Sequence, residues 1–184
     1  EAGADYLGFV LYAGSPRGIT SDRLKSIADR LDPQARKVGV FVNADRETVE
    51  QTVSVCGLCA VQIHGDEQAA EWSDLSVPVW RVLRISAGGV SPDPEKWPAA
   101  RYVVDAVVPG RYGGTGVRAD WGRAARLAQN YPVMLAGGLT ADNVAEALRT
   151  VRPAGVDVSS GIETEPGRKD HALLRRFIAN AGEA

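Results

Sequence analysis

Val103-Val104-Asp105-Ala106, followed by Val107-Val108-Pro109-Gly110-Arg111-Tyr112-Gly113-Gly114-Thr115-Gly116 and closed by Asp120-Trp121, is the stretch on which the fold turns. An apolar run without polar alternation marks a strand covered on both faces, as in a parallel sheet flanked by helices. Its single carboxylate stands where such a strand ends, and the glycines that follow supply a loop able to fold over a ligand. The pattern predicts a buried parallel strand that delivers Asp105 to an active site.

Outward from it, six further short apolar runs read as strands: Tyr6 to Leu11, Val38 to Val42, Cys59 to Ile63, Val79 to Leu83, Val133 to Ala136 and Gly155 to Val158. Between most of them lie helical stripes, with apolar residues at Leu24, Ile27, Ala28 and Leu31 and again at Val144, Ala147, Leu148 and Val151. The last stripe, Leu173, Leu174, Phe177, Ile178 and Ala181, is the clearest. Strand and helix in strict alternation, joined by short connections, require right-handed crossovers between parallel strands. The fold class is therefore α/β, either a (βα)8 TIM barrel or an open doubly wound sheet. No G-x-G-x-x-G follows the first strand. Between Ser86 and Pro98, Gly88, Gly89, Pro92, Pro94 and Pro98 leave little room for a helix, so that crossover is expected to be shortened or irregular.

At 184 residues and 45% hydrophobic the chain can bury a core, and one domain over residues 1–184 is the expectation. A formal charge of −2 with no basic run argues against nucleic acid as a partner. No apolar stretch approaches the ~20 residues that span a bilayer, and the first residues carry no secretory pattern, so a cytoplasmic protein without a membrane partner is expected. Cys56 and Cys59 have C-x-x-C spacing, which suits redox chemistry or half a metal site. Their surroundings favour packing: Val49 and Val53 lead a stripe up to Cys56, Gly57 stops the helix, and Cys59 opens the next strand as a small buried hydrophobe. With only His64 and His171 besides, no metal site is expected.

Two glycine-containing turns close the last two strands: Leu135-Ala136-Gly137-Gly138-Leu139-Thr140 and Asp157-Val158-Ser159-Ser160-Gly161-Ile162. In (βα)8 barrels the loops after strands seven and eight commonly hold a phosphate, because glycine lets the backbone approach closely and helix N-termini favour negative charge. Gly137, Gly138, Ser159, Ser160 and Gly161 are the phosphate-binding candidates.

Gly8-Phe9-Val10 with Ser15-Pro16-Arg17, Val38-Gly39-Val40-Phe41-Val42-Asn43, Val61-Gln62-Ile63-His64-Gly65, Tyr112-Gly113-Gly114-Thr115-Gly116 and the two turns above occur in one order that resembles the phosphoribosylanthranilate isomerases of tryptophan biosynthesis. The resemblance runs from the first residue to the last helix and settles the choice of α/β fold on the barrel. It implies an Amadori rearrangement of a phosphorylated small molecule, N-(5-phosphoribosyl)anthranilate, to 1-(2-carboxyphenylamino)-1-deoxyribulose 5-phosphate, with neither metal nor organic cofactor. An acid protonates the furanose ring oxygen so that the ring opens to a Schiff base, and a base removes the C2′ proton to give an enolamine that tautomerises. Asp105 occupies the family's acid position. Arg17 matches the arginine that pairs with the anthranilate carboxylate, a task suited to a planar bidentate donor. His64, at a strand end, either touches ligand or is fixed by a backbone carbonyl and supports the residues that do. Asp157 orients either the substrate or a loop backbone.

The chain also departs from the family. After Gly116 the family continues with lysine, threonine and phenylalanine, where this chain reads Val117-Arg118-Ala119. Seven strands are one short of a barrel, and the chain opens on Glu1-Ala2-Gly3-Ala4-Asp5, which reads as a helix end entering a strand. The expectation is that a first strand and helix are absent from these residues, with them the lysine-x-cysteine-glycine motif whose cysteine is the family's general base, and that residues 1–184 alone are inactive. Two alternatives remain open at the level of sequence. One is another phosphate-binding barrel of histidine or tryptophan synthesis, against which Arg17 and Val61 to Gly65 argue. The other is a non-catalytic remnant that binds a phosphate ligand. Association with other enzymes of the tryptophan pathway is the one macromolecular partnership the resemblance implies.

Overall fold

The computed structural model describes residues 2–86, 88–106 and 119–183. The expected loop from Val107 to Gly116, and Val117 and Arg118 after it, lie outside the described residues. The elements run β1 (Leu7–Val10), α1 (Ser21–Ala28), β2 (Lys37–Phe41), α2 (Arg46–Cys56), β3 (Ala60–Ile63), a 3-10 turn (Ala69–Glu71), β4 (Val79–Ser86), β5 (Gly89–Ser91), β6 (Arg101–Ala106), α3 (Trp121–Ala128), β7 (Val133–Leu135), α4 (Val144–Val151), β8 (Gly155–Val156), a 3-10 turn (Ser160–Ile162), β9 (Glu163–Glu165), β10 (Arg168–Lys169) and α5 (His171–Gly182). Each of the seven expected strands is present, and strand and α-helix alternate except from β3 to β6, where a 3-10 turn and a hairpin stand in for helices, one more interruption than the sequence led us to expect. The chain divides into two compact units, with the boundary inside β4.

One unit comprises residues 4–81 and 96–100. Its strands β1, β2, β3 and the start of β4 pair in parallel, with Val38 opposite Ala60 and Val61 opposite Val79. All four residues of β3 are buried, the two-faced burial that the unbroken apolar runs announce. Around the sheet Leu24, Phe41, Val49, Val53, Leu58, Ile63, Trp72 and Trp97 form one cluster. Each such side chain contributes ~1.5–3 kcal/mol of transfer free energy. Between β3 and β4 the crossover shrinks to a 3-10 turn.

The second unit comprises residues 1–3, 82–95 and 101–184. Here β6, β7 and β8 pair in parallel, with Val104 opposite Leu135 and Leu135 opposite Val156. The far end of β4 folds back on β5 as an antiparallel hairpin, Ile85 opposite Val90. That hairpin occupies the irregular crossover expected from its glycines and prolines. A second hairpin, β9 and β10, precedes α5. Along α5, whose stripe is the clearest in the sequence, only Phe177 is fully buried; Leu173, Leu174, Ile178 and Ala181 are half-buried.

Helix starts are fixed by side-chain caps. Thr20, Asp45, Asp120 and Asp170 accept first-turn N–H groups at the heads of α1, α2, α3 and α5, each cap worth ~1 kcal/mol. The strand beginnings carry aromatic clusters in both units. In the first, Tyr6 meets the edge of Trp80 at 5.0 Å and Arg36 lies over the Tyr6 ring at 4.1 Å. In the second, Tyr102 meets Tyr131 at 5.3 Å, and Arg101 donates to the Met134 sulfur at 3.5 Å. Of the two cysteines, Cys56 is buried at the end of α2, where burial pushes its thiol up, away from the reactive thiolate. Cys59 differs from the expectation in being half-buried, because it precedes β3 and its N–H donates to the Lys37 carbonyl at 2.9 Å.

Candidate active site

In the second unit the strands β6, β7 and β8 end side by side, and their last paired row is Val104, Leu135 and Val156. One step further along stand Asp105, Ala136 and Asp157. The N–H of Ala136 donates to the Val104 carbonyl and that of Asp157 to the Leu135 carbonyl, both at 2.8 Å, so the row stays in register. Residues of one row share a face, and with neighbouring strands ~4.8 Å apart the two carboxyl-bearing backbones are roughly 10 Å from each other. Asp105 is 8% exposed.

Asp157 is reached by water at its own surface yet is enclosed by protein around it. That loss of bulk solvent pushes its carboxyl above the ordinary value of 3.8, against the lowering pull of Lys169 and of the Val158 N–H. Its direct contact with water limits the size of the effect but not the direction. The folded chain therefore binds this proton more readily than the unfolded chain does. The associated stability is present below about pH 4 and is lost as pH rises through the raised folded value. Asp157→Asn is accordingly expected to raise Tm at pH 7 to 8 and to change it little at pH 4. Thermal melts across that range check this, and a variant no more stable than the parent at pH 8 contradicts it.

Next along β7 comes the turn Gly137-Gly138, where φ is 78° and 65°. Both lie in the left-handed region, where a side chain is strained. Asn143 braces this turn: its side chain donates to the Gly138 carbonyl at 3.0 Å and accepts the Thr140 N–H at 2.9 Å. After β8 the chain turns through Ser159, Ser160 and Gly161. A Cβ on Gly161 would stand 1.9 Å from the Leu139 carbonyl oxygen, so the two turns are in contact, backbone against backbone. Lys169 braces the second turn from β10, donating to the Ser159 carbonyl at 3.2 Å and pairing with Glu163 at 2.8 Å. The N–H groups of Gly137, Gly138, Ser160 and Gly161 have no hydrogen-bond acceptor among the described residues. Four backbone donors on two touching turns are suited to an anion.

In the first unit Arg17 and His64 follow β1 and β3. The loop carrying Arg17 is tightly turned: its own N–H donates to Ser15 Oγ at 3.2 Å, and Gly18 donates to the Ser15 carbonyl at 2.9 Å. Arg17 is half-buried. His64 is 8% exposed, and its N–H donates to the Phe41 carbonyl at 2.9 Å. Asp105, Asp157 and the phosphate-binding candidates thus gather at strand C-terminal ends in one unit, with Arg17 and His64 at strand C-terminal ends in the other. Cys56 and Cys59 lie at the opposite, N-terminal end of β3. Among the described residues no group of three or more His, Cys, Asp or Glu side chains is arranged to hold a metal. None of their helices is long and apolar enough to cross a membrane.

Residues 1–180 match the family model described as N-(5'phosphoribosyl)anthranilate (PRA) isomerase. The chain belongs to that family. It is 41% identical over 179 residues to the N-(5'-phosphoribosyl)anthranilate isomerase of Magnetococcus marinus, which covers 97% of this chain and 85% of that protein. Its structure is similar to the phosphoribosyl anthranilate isomerase of Thermus thermophilus, with a TM-score of 0.87, 31% identity, and 99% and 90% of the two chains covered. A further isomerase structure, solved with reduced 1-(O-carboxyphenylamino)-1-deoxyribulose 5-phosphate, gives a TM-score of 0.81 at 31% identity, over 100% of this chain and 90% of that one. As a PRA isomerase relative, the chain carries its acidic and glycine-rich positions at strand C-terminal ends, where enzymes of parallel α/β barrels build their sites. Arg81, Glu67, Asn43 and Lys169, which brace the loops around these positions, were not among the sequence candidates. Arg81 alone stands out in sequence, as the one charge in the run Val79 to Leu83, but nothing there names its partners.

Proposed function

We propose that the protein converts N-(5'-phosphoribosyl)anthranilate into 1-(2-carboxyphenylamino)-1-deoxyribulose 5-phosphate on a (βα)8 scaffold, as a step of tryptophan biosynthesis. What carries the reading is the family match over residues 1–180, joined to an acid on β6 that stands beside the two glycine turns after β7 and β8. In this reading the substrate phosphate binds the N–H groups of Gly137, Gly138, Ser160 and Gly161. That anchors the ribose with its ring oxygen toward Asp105. Asp105 donates a proton to the ring oxygen, the C1′–O bond breaks, and the anilino nitrogen lone pair forms the Schiff base. A general base then takes the C2′ proton to give the enolamine, which tautomerises to the ketone as C1′ gains a proton and the 2′-hydroxyl loses one, so the product has the composition of the substrate. Asp157, in the same row of strand ends, orients the opened sugar by a hydrogen bond. Arg17 pairs with the anthranilate carboxylate, and His64 contacts the same end of the molecule.

Turnover of N-(5'-phosphoribosyl)anthranilate above its spontaneous rate, followed by the spectral change as the aminoaldose becomes the aminoketose with its C1′–N bond intact, is the direct test. Conversion no faster than in buffer overturns the reading. Recognition is separable from chemistry. Arg17→Met is expected to raise KM about 10- to 100-fold, the loss of one charge-assisted contact of ~1.5–3 kcal/mol. Binding of ribulose 5-phosphate, which lacks the benzoate, is expected to change little. Equal losses for both molecules, read by steady-state kinetics and by titration, would reassign Arg17 to general electrostatics.

A further inference from the structure

Arg81 is the single charged residue in Val79-Trp80-Arg81-Val82-Leu83 and is buried, with its side chain 3% exposed and that of its partner Glu67 4% exposed. Its guanidinium brackets His64. Nη1 donates to the carbonyl of Ile63 at 3.1 Å and Nη2 to that of Gly65 at 2.7 Å, so the carbonyls on both sides of the histidine are held by one planar group. Ile63 is the last residue of β3, so the Gly65 contact carries order past the end of the strand. Nη1 also meets Glu67 Oε2 at 3.0 Å, and the Trp97 ring lies 5.1 Å from the guanidinium. Glu67 extends the clamp: its other oxygen accepts the Asn43 N–H at 2.6 Å, and its carbonyl accepts Trp97 Nε1–H at 3.0 Å. Asn43, at φ 50°, returns its side-chain oxygen to the Asp66 N–H at 2.8 Å.

We propose that Arg81 is a positioning residue for His64 and, through it, for the anthranilate end of the substrate. The inference rests on the role given to His64 under Proposed function. A buried ion pair is weak evidence for stability, since an apolar pair of similar volume commonly does as well. What the pair adds is geometry: a fork that fixes two carbonyls at a set separation. Groups that orient a ligand-contacting side chain typically change affinity or activity 10- to 100-fold when removed.

The test is a double-mutant cycle read as KM and kcat. Arg81→Lys keeps the charge opposite Glu67 but lacks the fork, and it is expected to raise KM ~10-fold while kcat stays within ~3-fold. In a His64→Ala background the same change is expected to add less than ~2-fold, whereas in an Arg17→Met background the two effects multiply. Should Arg81→Lys fail to fold, Glu67→Gln, which keeps shape and drops charge, is expected to give the same KM rise and the same dependence on His64. A lowered Tm with KM unchanged, an Arg81 effect of equal size with and without His64, or a His64→Ala variant of normal KM overturns the positioning role while isomerase activity stands. A parent protein that does not convert the aminoaldose overturns both readings.

Discussion

Replacing Asp105 by asparagine will lower kcat by ~10²-fold or more while KM for N-(5'-phosphoribosyl)anthranilate stays within a few-fold. The side chain keeps its size and hydrogen-bonding reach, so the buried site at the end of β6 is preserved, but an amide has no ionisable proton to give the ring oxygen. The loss therefore falls on the chemical step. Asp105→Glu separates position from chemistry: it retains the proton and shifts it by one methylene, and is expected to fall between the parent and the amide. Steady-state kinetics on the three proteins, with Tm recorded for each, is the measurement. Turnover of Asp105→Asn within ~3-fold of the parent removes Asp105 from the acid role.

Gly161→Ala will weaken binding of phosphate-bearing ligands by ~10²-fold, through geometry alone. The new methyl group would sit 1.9 Å from the Leu139 carbonyl oxygen and 2.9 Å from the Leu139 carbonyl carbon. Those are backbone atoms, with no rotamer by which to escape. The turn after β7 and the turn after β8 must separate by more than an ångström, which pulls apart the N–H groups proposed to share one phosphate. Displacements of that size commonly cost ~10²-fold at a positioned site, and overpacking a tight contact costs ~1–3 kcal/mol of stability. Titration with inorganic phosphate and with ribulose 5-phosphate reads the first effect, thermal melts the second. Binding that survives within ~3-fold shows that the anion lies elsewhere.

Much of this arrangement was legible in the residues themselves. The runs from Tyr6 to Leu11 and from Val133 to Ala136 trim by only one residue at an end or two to become β1 and β7, and β7 is buried along its whole length, the two-faced burial that leaves an unbroken apolar signature. Asp105, Gly137 and Gly161 were visible for the opposite reason: an isolated carboxylate or a glycine pair at the end of an apolar run has no packing role to explain it. The short hairpins β5 and β9–β10 were not legible. Their residues, such as Glu163, Glu165, Arg168 and Lys169, carry no apolar period, and what orders them is pairing and ion contacts between residues separated by a turn. Arg81 was hidden by its neighbours. Composition gives no hint that a cation within Val79 to Leu83 finds Glu67, two carbonyls and an indole ring, since those partners lie 14 to 18 residues away along the chain.

The aromatic clusters at the strand beginnings have a practical side. Tyr6, Arg36 and Trp80 in one unit, and Tyr102 and Tyr131 in the other, close the ends of their sheets that carry none of the acidic or glycine-rich positions. In the first unit, attachment chemistry belongs at that end of the sheet. Gln34 is exposed in the turn leading into β2, two residues from Arg36. A linker fixed there would tether the first unit by that end of its sheet, leaving the loops after β1 and β3, at the opposite strand ends, open to the bulk solution.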